Sequence, residues 1–321
     1  MPRVFIHSLT PGYEYCLQKG FEFLGESGVI RPSDRVCLKP NFTFPFFRPG
    51  VMTSLEAVKA TILFLKNFTS HITLCESDSG GYNRFSMDEV FRKTGIADFA
   101  RYCGVQVVNM SFVPSRPIQF SYRRKLFSVP LPRFLLEETD LLITMPVPKV
   151  HLHTIVSIAL KNQWGMIQEV PLRWRLHPYF KEVVYRINKA LPRTLAIVDG
   201  KYGLNRSGPM RGDVVELNWI LISDNIYYTD YVVTDLMGFD YRKIPYLKYI
   251  FQKEGIFSLE GVDLNTDYRQ FRSVKFYLKR EWTDYPGVLT FNSEFFAYIG
   301  YESCLAKPLH WLLYKFREPF F

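Results

Sequence analysis

Four short apolar runs, each ending in polar or charged residues, constrain this chain more than any other feature. Arg35–Leu38 runs into Lys39-Pro40-Asn41, and Ile72–Cys75 into Glu76-Ser77-Asp78. Asp140–Met145 leads to Pro146-Val147-Pro148-Lys149, and Thr194–Val198 to Asp199-Gly200-Lys201. Runs that are greasy on both faces read as strands buried in a parallel sheet. Between them lie stretches of helical period, among them Tyr13–Glu26, with Tyr13, Cys16, Leu17, Phe21 and Leu24 on one face. Thr53 with Glu56, and Ser86 with Glu89, carry the spacing of capping boxes, and the second opens a helix running toward Cys103. Strands at Val4–Ile6 and Gln106–Asn109 and a helix from about Thr154 complete the pattern. The sequence therefore predicts an α/β fold, a mostly parallel central sheet flanked by helices. Residues 1–240 read as the core, and 241–321 as an aromatic-rich C-terminal helical extension packed on it.

Composition narrows the function classes. Of 321 residues, 47% are hydrophobic and 22% charged, which excludes a disordered chain. The net charge of +9 suits anionic partners. No apolar window reaches the ~18 residues of a membrane-spanning helix, and Met1–Ser8 lacks the apolar core of a secretory signal. A soluble, cytoplasmic protein is the expectation. The five cysteines are scattered and form no C-x-x-C pair, so no intrinsic iron–sulfur cluster or zinc knuckle is expected, and buried reduced thiols are. Arg123-Arg124-Lys125, with Tyr122 and Phe127, is too short for a nucleic-acid groove and reads as a solvated loop.

In parallel sheets ligands bind beyond the carboxyl ends of the strands, so those ends are where chemistry is sought. Pro148–Gly165 is the richest segment. Lys149, His151 and His153 alternate and would share one face of an extended chain. A following helix would set Ser157 and Lys161 four apart on one side. Such a set can bind an anion, a metal or a carbonyl, and histidine can move protons near neutral pH. Lys149, His151, Lys161 and Asp199 are the catalytic candidates; Lys39, Asn41, Ser157, Asn162 and Gly200 are substrate-binding candidates. Glu76, Asp78 and His151 are the candidates for a divalent metal, though the Glu76–Gly81 turn is nearly as well read as an ordinary turn. Asp199–Gly203 and Gly208–Gly212 read as a glycine-rich loop at a strand end. Asp230, in a helical run from Tyr227 to Met237, reads as partly buried.

Several of these pieces share the order of a known pattern. They are Lys39-Pro40-Asn41, Pro49-Gly50, Thr53-Ser54, Glu76-Ser77, Asp140–Ile143, Pro148–His151, Ser157–Gly165, Ala196–Gly200, Gly208-Pro209, Asn218, Asp230 and Leu236–Gly238. The chain thereby resembles the DUF362 family, the Ala-Leu-Lys-Asn-x-x-Gly core at 159–165 being the most specific part. The resemblance implies an α/β domain of uncertain activity, often found with iron–sulfur or redox modules. Many relatives add a C-x-x-C-x-x-C segment that this chain lacks, so an electron-transfer role would need a separate redox partner. The family is also distantly similar to the amino-terminal domain of lactate racemase, whose nickel cofactor is not carried over.

The extension adds an amphipathic helix. Leu305, Leu309, Leu312, Leu313 and Phe316 share one face, and Lys307, His310, Tyr314 and Arg317 the other. Docking on the core is the expectation. The leading functional reading is an enzyme with a small anionic substrate, metal-dependent or redox-linked chemistry being left open. The alternative is a non-catalytic scaffold whose basic, aromatic C-terminal third engages a redox partner or a membrane surface.

Overall fold

In the computed structural model of the chain, residues 1–25, 29–79, 83 and 85–316 are described. Gly80, Gly81, Glu26, Arg317 and the terminal Pro319-Phe320-Phe321 lie outside them. The strands are β1 (Arg3–Ser8), β2 (Val36–Pro40), β3 (Ile72–Glu76), β4 (Gln106–Asn109), β5 (Ser115–Tyr122) and β6 (Lys125–Pro132). They continue with β7 (Leu141–Met145), β8 (Lys149–His151), β9 (Ile155–Ser157), β10 (Arg193–Asn205), β11 (Asp213–Ser223) and β12 (Asp263–Leu264). The first helices are α1 (Tyr13–Leu24), α2 (Leu55–Leu65), α3 (Met87–Lys93), α4 (Ile96–Tyr102), α5 (Arg133–Glu137), α6 (Ala159–Asn162) and α7 (Val170–Leu176). The rest are α8 (Phe180–Ala190), α9 (Ile226–Leu236), α10 (Pro245–Glu254), α11 (Tyr285–Asn292), α12 (Glu294–Tyr301) and α13 (Ala306–Leu313).

The main sheet runs β12-β1-β11-β10-β7-β2-β3-β4, with β8 and β9 attached off β10. From β10 to β4 every neighbour is parallel, while β11 is antiparallel to both β10 and β1. Strand β7 sits at the centre, Leu142 lying opposite both Thr194 and Cys37, and all five of its residues are buried. Its side chains alternate between two cores, which is why the run reads as apolar throughout. Leu141 and Ile143 pack with Leu17, Phe21, Val58 and Ile62 of α1 and α2. Leu142 packs on the other face, with Val183, Ile187 and Val233 of α8 and α9. Residues beyond 240 enter the same body: Leu247, Ile250 and Phe251 of α10 join the second core, and β12 extends the sheet beside β1.

Five local expectations are corrected. The cap of α2 is Ser54, whose hydroxyl accepts the Ala57 N–H; the Thr53 hydroxyl instead accepts from the Asn41 N–H and donates to the Met145 carbonyl. The helix toward Cys103 is two helices, because Gly95 takes a left-handed φ of 71° between α3 and α4. Ser157 is in a strand, paired opposite Lys149, so it shares no helical face with Lys161. The glycine-rich loop is largely a hairpin: β10 and β11 remain paired from Ala196/Ser223 out to Asn205/Asp213. The loop read at Arg123-Arg124 is the two-residue turn of the β5–β6 hairpin, both arginines at positive φ (50° and 61°). Cys16, Cys37, Cys75 and Cys103 are free and buried, and Cys304 is free and exposed.

A cationic cavity beyond the strand ends

Where β2 and β3 end, Lys39 and Glu76 meet in a buried ion pair of 2.9 Å. Neither side chain is more than 4% exposed. Glu76 also accepts the Ser77 N–H, so its charge is matched on both oxygens. Asn162, at the end of α6, accepts from Asn41 at 3.0 Å and donates to the Thr144 hydroxyl at 2.8 Å. Asn41 in turn accepts from Lys149 Nζ at 2.6 Å, and the Val51 carbonyl accepts from it at 2.8 Å. Side-chain hydrogen bonds thus tie the ends of β2, β7 and β8 to α6 in one continuous network. Asp230 anchors the start of α6, one oxygen accepting the Ala159 and Leu160 N–H groups. The approach of Gly165 explains the glycine of the Ala-Leu-Lys-Asn-x-x-Gly core, since a Cβ there would sit 3.3 Å from Glu76 and 3.4 Å from Lys39.

This network forms one wall of a cavity of about 540 Å³. Lys39, Asn41, Glu76, Asp78, Lys149, His151, Ser157, Lys161 and Asn162 all line it, as the strand-end rule leads one to expect. The cations outnumber what the local carboxylates neutralise. Lys149 hydrogen-bonds only to the neutral groups already named. Arg173 is 4% exposed, and every hydrogen bond it makes goes to a neutral oxygen: Ile167, Asp78 and Gly165 carbonyls and the Ser77 hydroxyl. Lys161 Nζ has no hydrogen bond or ion pair among the described residues and lies 5.7 Å from the centre of the Phe180 ring. Burial pushes both lysines down to about 7, Lys149 further disfavoured by the charges of Lys161 and Lys39.

His310 also lines the cavity; of the other lining histidines, His151 and His177 differ in tautomer. Two backbone N–H groups, of His153 and Thr154, point at His151 Nδ1, so that nitrogen is bare and Nε2 carries the proton. His177 Nδ1 donates to the Arg173 carbonyl at 2.6 Å, so its Nε2 is the bare one. Burial, with nearby positive charge, holds both well below the usual imidazole range. His153 does not line the cavity. It packs edge-on against His177 and Phe291 and is pushed down to about 4 by burial.

The opposite wall comes from the C-terminal helices. Phe291 of α11 stacks on His177 at 4.3 Å, and Tyr301 of α12 on Trp174 at 4.2 Å. Leu309, Leu312 and Leu313 of α13 also line the space. Exposed ion pairs, Lys125–Glu294 at 2.6 Å and Arg175–Glu302 at 3.2 Å, join these helices to the core. Leu309, Leu312, Leu313 and Phe316 of the apolar face read in α13 therefore look into the cavity, but so do His310 and Tyr314 of the face read as polar, with Leu309 and Leu312 about half exposed.

Two sequence candidates lie elsewhere. Asp199 is buried at the start of α2, accepting from the Tyr13 hydroxyl, the Ser54 N–H and the Lys201 N–H. Gly200 is packed beneath the Trp219 ring, which a Cβ would strike at 2.3 Å. Nor are the three metal candidates gathered. Glu76 faces Lys39, Asp78 accepts from the Met87 N–H and Asn109, and His151 Nδ1 is taken by backbone. Among the described residues no three His, Cys, Asp or Glu side chains group to hold a metal ion. Arg173 and His177 were not foreseen. Only their spacing of four on a helical segment links them, and nothing in that spacing points to the strand ends.

A family model described as a domain of unknown function (DUF362) matches residues 36–235. A Synechocystis protein named Thylakoid-associated protein sll1697 is 25% identical over 230 residues, 69% of this chain and 68% of its own length. Two solved structures are similar at low identity. The lactate racemase apoprotein of Thermoanaerobacterium thermosaccharolyticum is 13% identical with a TM-score of 0.41, over 72% of this chain and 56% of that one. A Thermotoga maritima protein is 16% identical with a TM-score of 0.38, over 63% and 54%. This chain spans little more than half of either.

Proposed function

The chain belongs to the DUF362 family, and because the matched stretch carries every cation of the cavity, we propose that it is an enzyme acting on a small anionic substrate. Lys149, Lys161 and Arg173 hold the carboxylate or phosphate. His177 Nε2 accepts a proton and the neutral His151 Nε2–H donates a hydrogen bond to the charge that develops, so proton abstraction from the bound anion is the chemistry the pair suits. Trp164, also in the wall, has an indole N–H without a hydrogen-bond partner among the described residues and can donate to the same anion. Asp199 acts only by positioning α2, and Glu76 by fixing Lys39. The observation that carries the reading is Lys161, an ammonium facing a cavity with no ion-pair partner of its own among the described residues.

A thermal-shift series with acetate, lactate, inorganic phosphate and phosphoenolpyruvate tests it. At least one should raise the melting temperature of the wild type and do so less in Lys161→Ala and Arg173→Ala. Equal shifts in all three proteins would remove the assignment.

A second reading concerns where the protein works. Trp282, Phe295, Trp311 and Phe316 are each more than 60% exposed, all near the cavity's C-terminal wall. No helix among the described residues is long and apolar enough to cross a membrane. Aromatic side chains at a surface of this kind suit peripheral attachment to a lipid interface, and the Synechocystis relative is named as thylakoid-associated. Sedimentation with phosphatidylcholine vesicles should retain the wild type and release Trp282→Ala/Trp311→Ala; equal retention would discard the reading.

A further inference from the structure

We propose that the cavity takes an amphiphilic anion, a carboxylate or phosphate head with an extended apolar chain, rather than a compact polar one. The inference rests on the anion-binding reading above and adds the substrate class. A volume of about 540 Å³ holds roughly 18 waters at ~30 Å³ each, and a carboxylate or phosphate fills only a few of those places. The remainder is bounded by the C-terminal wall: Phe291, Tyr301, Leu309, Leu312 and Leu313. These five side chains carry no charge, and water against their apolar surfaces is poorly partnered, although the same wall also brings Asp284, His310 and Tyr314 to the cavity. The head and chain sites are also built by different parts of the chain. The cations come from residues 39–173, the apolar wall from 291–313. Leu309 and Leu312 of α13 stay about half exposed although Ala306 of the same helix is buried, so the helix is anchored while these leucines are held open to the cavity.

Isothermal titration of the full-length protein with two series tests this: butyrate, hexanoate and octanoate, and the matching alkyl phosphates. The proposal expects affinity to rise about threefold to fourfold per added methylene in at least one series. The series that responds identifies the head. Leu312→Ala/Leu313→Ala should flatten that slope with little effect on butyrate or butyl phosphate, while Lys161→Ala should weaken every member by a similar factor. Affinity independent of chain length in the wild type overturns the amphiphile, and leaves the anion reading standing if Lys161→Ala still weakens binding. No binding by any member overturns both.

Discussion

One carboxylate oxygen of Asp230 accepts the backbone N–H of Ala159 at 2.8 Å, across 71 residues of sequence. It accepts the Leu160 N–H as well, and so fixes the first turn of the short helix that carries Lys161 and Asn162. Asp230 is fully buried, its second oxygen has no partner among the described residues, and burial pushes its carboxyl up to about 8. The folded chain therefore keeps a proton that the unfolded chain, with an aspartate near ~3.9, releases. Stability from this group is complete below about pH 4 and is lost as pH rises toward 8. Asp230→Asn keeps the accepting oxygen and cannot ionise. Urea unfolding at pH 5 and pH 8 should show the wild type losing on the order of a few kcal/mol more than the variant. Parallel losses would mean that the carboxyl is already charged at pH 5.

The ion pair of Lys39 and Glu76 is a different kind of buried charge, because each partner answers the other. Lys39→Met leaves Glu76, whose side chain is almost wholly buried, with backbone N–H groups and no counter-charge. The expected cost is about 3–5 kcal/mol, much of it the penalty of a lone buried carboxylate. Lys39→Met/Glu76→Gln removes both charges and should recover most of that loss. Chemical denaturation of the two variants decides it: a double variant no more stable than the single would show that the cost lies in packing.

Those two relationships also show what a sequence discloses. The strand ends were readable because β2, β3 and β7 are buried on both faces, and a polar residue directly after such a run has to face a cavity or a partner. That places Lys39, Glu76 and Lys149 without any knowledge of their contacts. Ser157 misleads because three-residue strands such as β8 and β9 carry too few residues for a period to register. Asp199 and Gly200 also follow a buried run, but β10 continues past them as a hairpin, so the strand does not end where its apolar stretch does. Arg173 and His177 reach the site by tertiary packing of a segment with no chemical motif. The amphipathic pattern of α13 was visible, whereas its facing a cavity rather than the closed core depends on Phe291 and Tyr301 docking on His177 and Trp174.

Gly165 is the point at which the family motif and the buried pair touch. A methyl group there would press on Glu76 and Lys39 at 3.3 and 3.4 Å, closer than side chains usually approach. The Gly165 carbonyl accepts from Arg173 and from the Ser77 hydroxyl, so any shift passes to an anion-holding side chain as well. Gly165→Ala should cost about 1–2 kcal/mol of stability and weaken octanoate binding. Should thermal unfolding and titration both match the wild type, the pair has room to relax and the glycine is there for another reason.

Lys161 sets stability against function most directly. Its ammonium is held to about 7, against ~10.4 in a solvated lysine, by burial without a counter-charge. Between those two values the unfolded chain holds a proton that the folded chain has given up, so folding becomes more favourable as pH rises through that window. The penalty is therefore full below pH 7 and gone near pH 10.5. Lys161→Met removes it, and the variant should exceed the wild type by about 1 kcal/mol or more at pH 6, with the difference shrinking toward pH 10. Octanoate binding should move the other way. The ligand stays ionised throughout while Lys149 and Lys161 discharge, so wild-type affinity should fall as pH rises above about 7. Melting curves at pH 6 and 10, with titrations at pH 6 and 9, test both halves. A variant that is less stable at pH 6 would show that Lys161 has a partner in solution, and the case for an anion site would lose its central residue.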